Sequence, residues 1–398
     1  MKAVILVAGE GTRMRPLTNN RPKVMLEVAN KPILAHIVHS LKDAGINDFL
    51  FVCGYLYENI EKYFGDGREL GIRIEYIEQK DRLGTAHAIE CANDFVEDRF
   101  LVLNGDALID TQFVKKLINR EETSVLSVKE VNDPSEFGII LTDGKQITTI
   151  IEKPKNPISN LANVGVYVFD RGIFDAIEKT KLSERGEYEI TESIQILIDE
   201  GKKIGYEIYD GGLLQDIGRP WDLLDTNELL LKNIKSNVKG EVEPNATLRG
   251  AVIVGEGTLI RNGAYIIGPV IIGKNCIIGP NCFIRASTAI GDGVHIGNAV
   301  EIKNSIVMSN TNIGHLSYVG DSIIDENCNF GAGTKVANLR FDKKNVRVML
   351  KGKLVDSGKR KLGVIMGNGV NTGVNSMINA GCVVPSNSFI LPGEFKSK

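Results

Sequence analysis

At 398 residues, with 43% hydrophobic and 24% charged side chains and a net charge of -3, the chain is too long for a single core and too apolar for disorder, so two domains are expected. The near-neutral charge excludes a general nucleic-acid-binding surface, and no run approaches the ~18 apolar residues of a membrane span. The apolar run Ala3–Ala8 is too short for a signal segment, and the six cysteines (Cys53, Cys91, Cys276, Cys282, Cys328, Cys382) show no C-x-x-C spacing; a cytoplasmic protein with reduced thiols is the expectation.

Residues 1–225 alternate strand-like and helix-like segments, the pattern of a mostly parallel α/β sheet. Strands are predicted at 4–8, 49–53, 72–76, 100–103, 124–128 and 164–169; between the first two, Ile33, Ile37 and Leu41 share one helical face that Gly45 ends. The first strand runs into Gly9-Glu10-Gly11-Thr12-Arg13, with Lys23 further on. Glycines let backbone N–H groups approach an anion and take up φ > 0, and Arg13 and Lys23 add charge, which together describe a phosphate site. A dinucleotide loop needs a third glycine where Met14 stands, and a Walker loop needs a G-K-[ST] ending that is absent. The Gly105-Asp106 turn follows another strand, and in open sheets ligands sit beyond the strands' carboxyl ends.

A connecting helix is predicted at 221–235, and the pattern then changes. Val242, Leu248, Val254, Ile260, Ile266, Ile272, Ile278, Ile284, Ile290, Ile296 and Ile302 stand six apart, and the same period continues through Tyr318, Ile324, Phe330 and Val336 and again through Ile378, Val384 and Ile390. A hexapeptide repeat of this kind builds a parallel β-helix whose coils stack on their neighbours. The stretch 340–362 breaks the repeat with Arg340, Lys343, Lys344, Arg347, Lys351, Lys353, Lys359, Arg360 and Lys361, and is expected to project as a loop or hairpin.

The opening G-x-G-T-R and Pro-Lys are followed in order by Gln79 with Leu83-Gly84-Thr85-Ala86, Asn104-Gly105-Asp106, Phe137-Gly138, Glu152-Lys153-Pro154, Asn163-Val164-Gly165-Val166-Tyr167 and Asp216-Ile217-Gly218. As a set these resemble the sugar-1-phosphate nucleotidylyltransferase family over residues 1–225. The resemblance implies in-line attack of a sugar phosphate on the α-phosphorus of a nucleoside triphosphate, which needs alignment and charge neutralisation more than a protein nucleophile. Gly9, Gly11, Thr12, Arg13, Gln79, Gly84 and Thr85 would then hold the nucleotide, with Arg13 and Lys23 catalytic on the phosphates. Asp106 and Asp216 would supply the hard oxygens Mg²⁺ prefers. Gln79, whose amide donates and accepts together, suits the O4 and N3–H edge of uracil or thymine, and Gly138, Glu152, Lys153 and Asn163 suit a sugar phosphate. Taken singly, Gln79 is as readily a solvated side chain, either aspartate a turn cap, and Glu152-Lys153-Pro154 an exposed turn.

His315-Leu316-Ser317-Tyr318-Val319-Gly320-Asp321, then Asn329-Phe330-Gly331-Ala332-Gly333-Thr334 and Asn338, resemble the acetyltransferase site of the bacterial bifunctional N-acetylglucosamine-1-phosphate uridylyltransferases. His315 is the candidate base for the amine that attacks the thioester of acetyl-CoA, with Tyr318, Asn329 and Asn338 on the substrate. His36, His39, His87 and His295 read better as packing. After Asn338 the chain departs from the Tyr-Asp-Gly of that family, leaving Lys344 as first choice for the phosphate cation, with Lys343 and Arg347 next; the alternative partner of the insertion is the phosphates of coenzyme A.

The expected architecture is an α/β Rossmann-like nucleotidyltransferase domain (1–225), a linker helix end (226–239) and, with its hand implied by resemblance to hexapeptide-repeat families, a left-handed parallel β-helix of hexapeptide repeats (240–398). The resemblance adds a homo-oligomer, a trimer or dimer of trimers. The expected function is acetylation of glucosamine-1-phosphate by acetyl-CoA, then joining of the product to UTP, with dTTP and glucose-1-phosphate as further substrates of the front half. The rivals are nucleotidylyl transfer alone (glucose-1-phosphate thymidylyl or uridylyl, or mannose-1-phosphate guanylyl) with the helix as an assembly scaffold, and an inactive regulatory subunit.

Overall fold

The computed structural model describes residues 1–211 and 214–397, with the side chains of Glu136 and of residues 214–216 excepted. Contacts divide it into two compact units, the first comprising Met1–Glu10, Pro22–Met25 and Ile33–Asp216, the second Gly11–Arg21, Leu26–Pro32 and Ile217–Lys398.

Strands of the first unit are β1 Lys2–Val7, β2 Asp48–Cys53, β3 Arg73–Glu78, β4 Phe100–Asn104, β5 Ala107–Ile109, β6 Ser124–Glu130, β7 Gly138–Thr142, β8 Ile147–Glu152, β9 Leu161–Phe169, β10 Ile204–Ile208 and β11 Leu214–Asp216. Its helices are α1 Ile33–Asp43, α2 Glu58–Phe64, α3 Thr85–Glu90, α4 Thr111–Ile118, α5 Gly172–Lys179 and α6 Ile190–Asp199. A nine-stranded sheet runs β8-β7-β9-β4-β1-β2-β3, with β6 added to β9 and β10 to β6. β4-β1-β2-β3 is a continuous parallel run and β10 lies parallel to β6, but β9 lies antiparallel to β4 and β6, so the sheet is mixed where a mostly parallel one was expected. The six predicted strands are all present. Of the strands not foreseen, β5 and β11 have three residues each, and β8 and β10 expose Ile151 and Ile208, so they lack the continuous apolar run of a strand buried on both faces. The core is built on Val4, Val52, Val102, Phe100 and Phe169, with Phe100 stacked on Phe174 at 5.7 Å.

In the second unit α7, Asp222–Leu231, leads into three parallel sheets of eight strands each, starting at Asn237–Val238, Glu241–Val242 and Thr247–Arg249. This is the parallel β-helix that the repeat predicts, and it is consistent with the left hand implied by resemblance to hexapeptide-repeat families. Val254, Ile260, Ile266, Ile272, Ile278, Ile284, Ile290, Ile296 and Ile302 are buried inside it, each burial worth ~2 kcal/mol. Val242, first in the series, lies on the first strand of its sheet and is largely exposed. Beyond Ile302 the period breaks: the inward residues are Val307, Ile313, Val319 and Ile324, so two sides of the coil have five residues. A one-residue slip exchanges the two faces of a strand. Val319 therefore points inward and Tyr318 outward, correcting the register the six-residue period gives to Tyr318.

The insertion is a hairpin, Arg347–Leu350 against Lys353–Asp356, turning through Lys351 and Gly352 at φ +48° and +74°. It closes at a bridge between Leu339 and Lys361, after which Ile365 pairs with Ile323 and the coil resumes.

The units divide the chain differently from boundaries at 225 and 240. A boundary at 225 would cut α7, and the first coil strand precedes 240. The hairpin of Glu27–Val28 with Lys31–Pro32 belongs to the second unit because the Ala29 N–H donates to Asn227 and the Asn30 amide to the Ile290 carbonyl. Arg21 joins it through Asp325 and Glu326, at 2.9 and 3.0 Å. Among the described residues no helix is long and apolar enough to cross a membrane, and none of the six cysteines is in a disulfide.

Candidate active sites

The glycine loop is apportioned between the units. Gly9 lies in the first unit's leading segment, which ends at Glu10, and only Gly11 has the positive φ expected of both glycines, +64°. Gly11 opens the one-turn helix Thr12–Met14, its carbonyl accepting from Met14 N–H and the Thr18 hydroxyl, and leaves Arg13 exposed. In the first unit Lys23 forms an ion pair with Asp106. Asp106 follows Gly105 past β4, and a Cβ on Gly105 would lie 2.5 Å from Val7 and 3.1 Å from the Leu6 carbonyl; a side chain there would push the β4 turn off β1. β11 pairs with β5 so that Asp216 faces Ala107, next in chain to Asp106; the Asp216 side chain lies outside the described residues. No group of three or more metal-ligating side chains occurs among the described residues. A partly exposed carboxylate that leaves most positions to phosphate oxygens and water is the donor pattern Mg²⁺ accepts, and Asp106, with one oxygen on Lys23, is of that kind.

Gln79 continues β3 by donating its N–H to the Cys53 carbonyl, and its side chain is 5% exposed. Its Nε2 donates to the Gly84 carbonyl at 3.3 Å and meets His87 Nδ1 at 3.0 Å. The donating half of the amide is therefore engaged, and Oε1 has no partner among the described residues. Gly84 stands at φ +111°, where a Cβ would be 2.5 Å from the Tyr188 carbonyl oxygen. Its glycine is demanded by that backbone crossing, which Ala86 N–H to Tyr188 O and Ile190 N–H to the Thr85 hydroxyl hold closed.

Gly138, Glu152 and Asn163 are brought together: a Cβ on Gly138 would lie 3.1 Å from Glu152 Oε2 and 3.6 Å from Asn163 Cβ. Asn163 donates to the Tyr167 hydroxyl and accepts from Gly165 N–H; burial pushes the Tyr167 phenol up. Lys153 sits at φ +39° as β8 ends, its N–H bonded to the Phe137 carbonyl. Arg185, absent from the sequence-based candidates, donates to Glu152 at 3.1 Å and to Glu189. Nothing in the sequence joins it to Glu152, since the two meet only through the fold.

On the β-helix, Tyr318 and Asn338 meet. Asn338 Nδ2 donates to the Tyr318 hydroxyl at 3.2 Å and also to Asp321, which accepts from Lys303 at 3.0 Å and from Asn304. A Cβ on Gly320 would fall 2.6 Å from the Tyr318 hydroxyl. Lys303 and Asp321 were missed; the coil period itself is the signal, because Lys303 pairs in register with Gly320 on the next coil. His315 ends an adjacent sheet's strand, Asn312–His315, and is exposed, its carbonyl accepting from Gly333 N–H and the Ser317 hydroxyl. His295 is disfavoured as a cation, first by burial and then by His315. Asn329 is exposed one coil beyond Asn312, to which it pairs. Lys344 is exposed in a turn whose N–H donates to Asp342, while Lys359 is tied to Asp225.

The Nucleotidyl transferase family model matches residues 2–233, and the GMPPB C-terminal domain model matches residues 266–390. "Bifunctional protein GlmU" of Methanocaldococcus jannaschii is 46% identical over 391 residues, 98% of this chain and 93% of that protein. The "bifunctional sugar-1-phosphate nucleotidylyltransferase/acetyltransferase" of Sulfurisphaera tokodaii is 40% identical over 99% of this chain and 96% of its own length. A solved UDP-glucose pyrophosphorylase complexed with UDP-glucose superposes with a TM-score of 0.52 at 26% identity, covering 58% of this chain and 98% of that one.

Proposed function

We propose, on the premise that this chain belongs to the nucleotidyl transferase family and, along nearly its whole length, to its bifunctional nucleotidylyltransferase/acetyltransferase members, that it makes UDP-N-acetylglucosamine in two steps. The β-helix acetylates glucosamine-1-phosphate from acetyl-CoA, and the front unit joins the product to UTP. The observation that carries this reading over a bare scaffold is the polar cluster of Tyr318, Asn338, Asp321 and Lys303, which stacking coils do not need.

In the first step His315 removes a proton from the substrate ammonium. The freed amine attacks the thioester carbonyl, the N–C bond forms, and the C–S bond breaks to release coenzyme A. Asn338 and Tyr318 orient the amino sugar, and Asn329 offers a further amide to the substrate; Lys303 and Lys344 are the cations for its phosphate. In the second step the product's phosphate oxygen attacks the α-phosphorus of UTP and pyrophosphate leaves. Arg13 and Lys23 neutralise the phosphates, Gly9, Gly11 and Thr12 offer backbone N–H groups, and Gln79, Gly84 and Thr85 take the base. Glu152, Lys153, Asn163 and Gly138 receive the sugar phosphate. Asp106 and Asp216 would hold Mg²⁺, which draws charge from the phosphate oxygens. With Oε1 as its reading atom, Gln79 accepts equally from the N3–H of uracil or thymine, which supports dTTP as a second nucleotide.

Outward apolar residues of the β-helix, among them Ile277, Met377, Phe389 and Phe395, support assembly as a homotrimer, and the reduced thiols support a cytoplasmic location. Incubation with glucosamine-1-phosphate and acetyl-CoA tests the whole: thiol release is expected, and His315→Ala should lower it at least ~100-fold while pyrophosphate release from UTP and N-acetylglucosamine-1-phosphate persists. Wild-type protein that consumes no acetyl-CoA would leave only the scaffold reading.

A further inference from the structure

Gln79 is the one buried amide of the nucleotide site, and which of its ends faces the ligand decides what base it can read. A carboxamide is nearly symmetric in shape but not in chemistry, so its orientation must be set by neighbours. One neighbour is the Gly84 carbonyl, which can only accept; the atom 3.3 Å from it is therefore the amide nitrogen. The same nitrogen lies 3.0 Å from His87 Nδ1. It follows that His87 accepts there, carrying its own proton on Nε2. Both amide protons are consumed inside the protein, and Oε1 is left without a partner among the described residues.

We infer that His87 is a positioning residue for base selection: by taking the second amide proton of Gln79 it locks Oε1 as the reading atom, so the site accepts bases with a ring N–H and rejects those with a ring acceptor. The inference rests on the proposed role of Gln79 as the base reader and deepens it. Uracil and thymine present N3–H to Oε1. Cytosine presents the lone pair of N3, which would oppose the carbonyl in a buried place and leave both unpaired. Without the His87 acceptor nothing but the long Gly84 contact resists a half-turn of the amide, and the turned amide offers N–H to cytosine. His87 stands on α3, directly behind the Gly84 turn that the Tyr188 backbone pins, so its ring is held against Gln79 by the same backbone.

Two substitutions separate this role from simple packing. His87→Asn puts an acceptor oxygen where Nδ1 was, three bonds from Cα, whereas His87→Gln moves it to the place of Nε2. Pyrophosphate release with UTP and with CTP, each against N-acetylglucosamine-1-phosphate, gives the ratio of kcat/KM values. H87N should keep that ratio within ~2-fold of the wild type, and H87Q should lower it at least ~10-fold, chiefly through KM, as the loss of one buried hydrogen-bond match implies. Should H87Q not fold, H87A takes its place with the same expected loss. Equal ratios in the Asn and Gln variants would overturn the inference. Gln79→Leu tells the two failures apart. If it leaves the ratio at the wild-type value, Gln79 does not read the base; if it collapses the ratio while H87Q does not, Gln79 reads the base and His87 does not position it.

Discussion

Gly84 shows how a residue's place in the sequence can be legible while its reason is not. Its motif marks it as part of the nucleotide site, and a missing side chain there suggests room for a base. The constraint found is internal: φ +111° and a backbone carbonyl 2.5 Å from any Cβ. Gly84→Ala should therefore cost ~1–3 kcal/mol of stability in the first unit and raise the KM for UTP, with acetyl transfer unaffected. Calorimetric melting with both assays checks this. Gly138 differs, since the space it leaves is bounded by Thr191 as well as by Glu152 and Asn163, two residues of the sugar-phosphate candidates. Arg185 and Lys303 lie outside every motif, and only Lys303 could have been found by spacing, through the coil register that sets it beside Gly320. One reaches Glu152 from a loop a strand and a helix away, and the other belongs to the preceding coil, where an outward lysine looks like any solvated cation.

At the scale of elements, long periodic segments were legible and short irregular ones were not. The hexapeptide register identifies nine consecutive buried aliphatics, yet two five-residue sides are invisible to a fixed period, and they decide that Tyr318 faces out where Asn338 can reach it. The segment Gly11–Arg21 carries another feature no pattern announces. Arg21 lies against Asp325, a fully buried carboxylate whose Oδ2 has no hydrogen-bond partner among the described residues. Burial, opposed by Arg21, pushes Asp325 up to about 6, and burial with Glu326 pushes Glu27 up to about 7. Carboxyls whose folded pKa is raised bind more protons folded than unfolded, so stability of the second unit should fall as pH rises from the ordinary carboxylate range to about 7. Arg21→Ala leaves Asp325 uncompensated and should cost ~3–5 kcal/mol at pH 8, and clearly less at pH 5, where Asp325 can take a proton. A cost independent of pH in urea melts would contradict this.

For the whole molecule, the two architectures and their order were legible because a period-six repeat and an alternating α/β pattern cannot be mistaken for each other. The division between them was not, because it does not follow the chain: the second unit takes Gly11–Arg21 and Leu26–Pro32 from within the first. A fragment 217–398 lacks Arg21 and the partners of Asn227 and Ile290, and it should melt at least ~5 °C below the full chain's second unit. Adding Asp325→Asn to that fragment should recover part of the loss by removing the orphaned charge; circular dichroism decides it. The same interleaving limits how such a protein can have been put together. Two catalysts joined end to end can be exchanged by a single crossover in a gene. Here an exchange at residue 217 would import a β-helix fitted to someone else's Arg21, so front and back halves must be inherited as a matched pair.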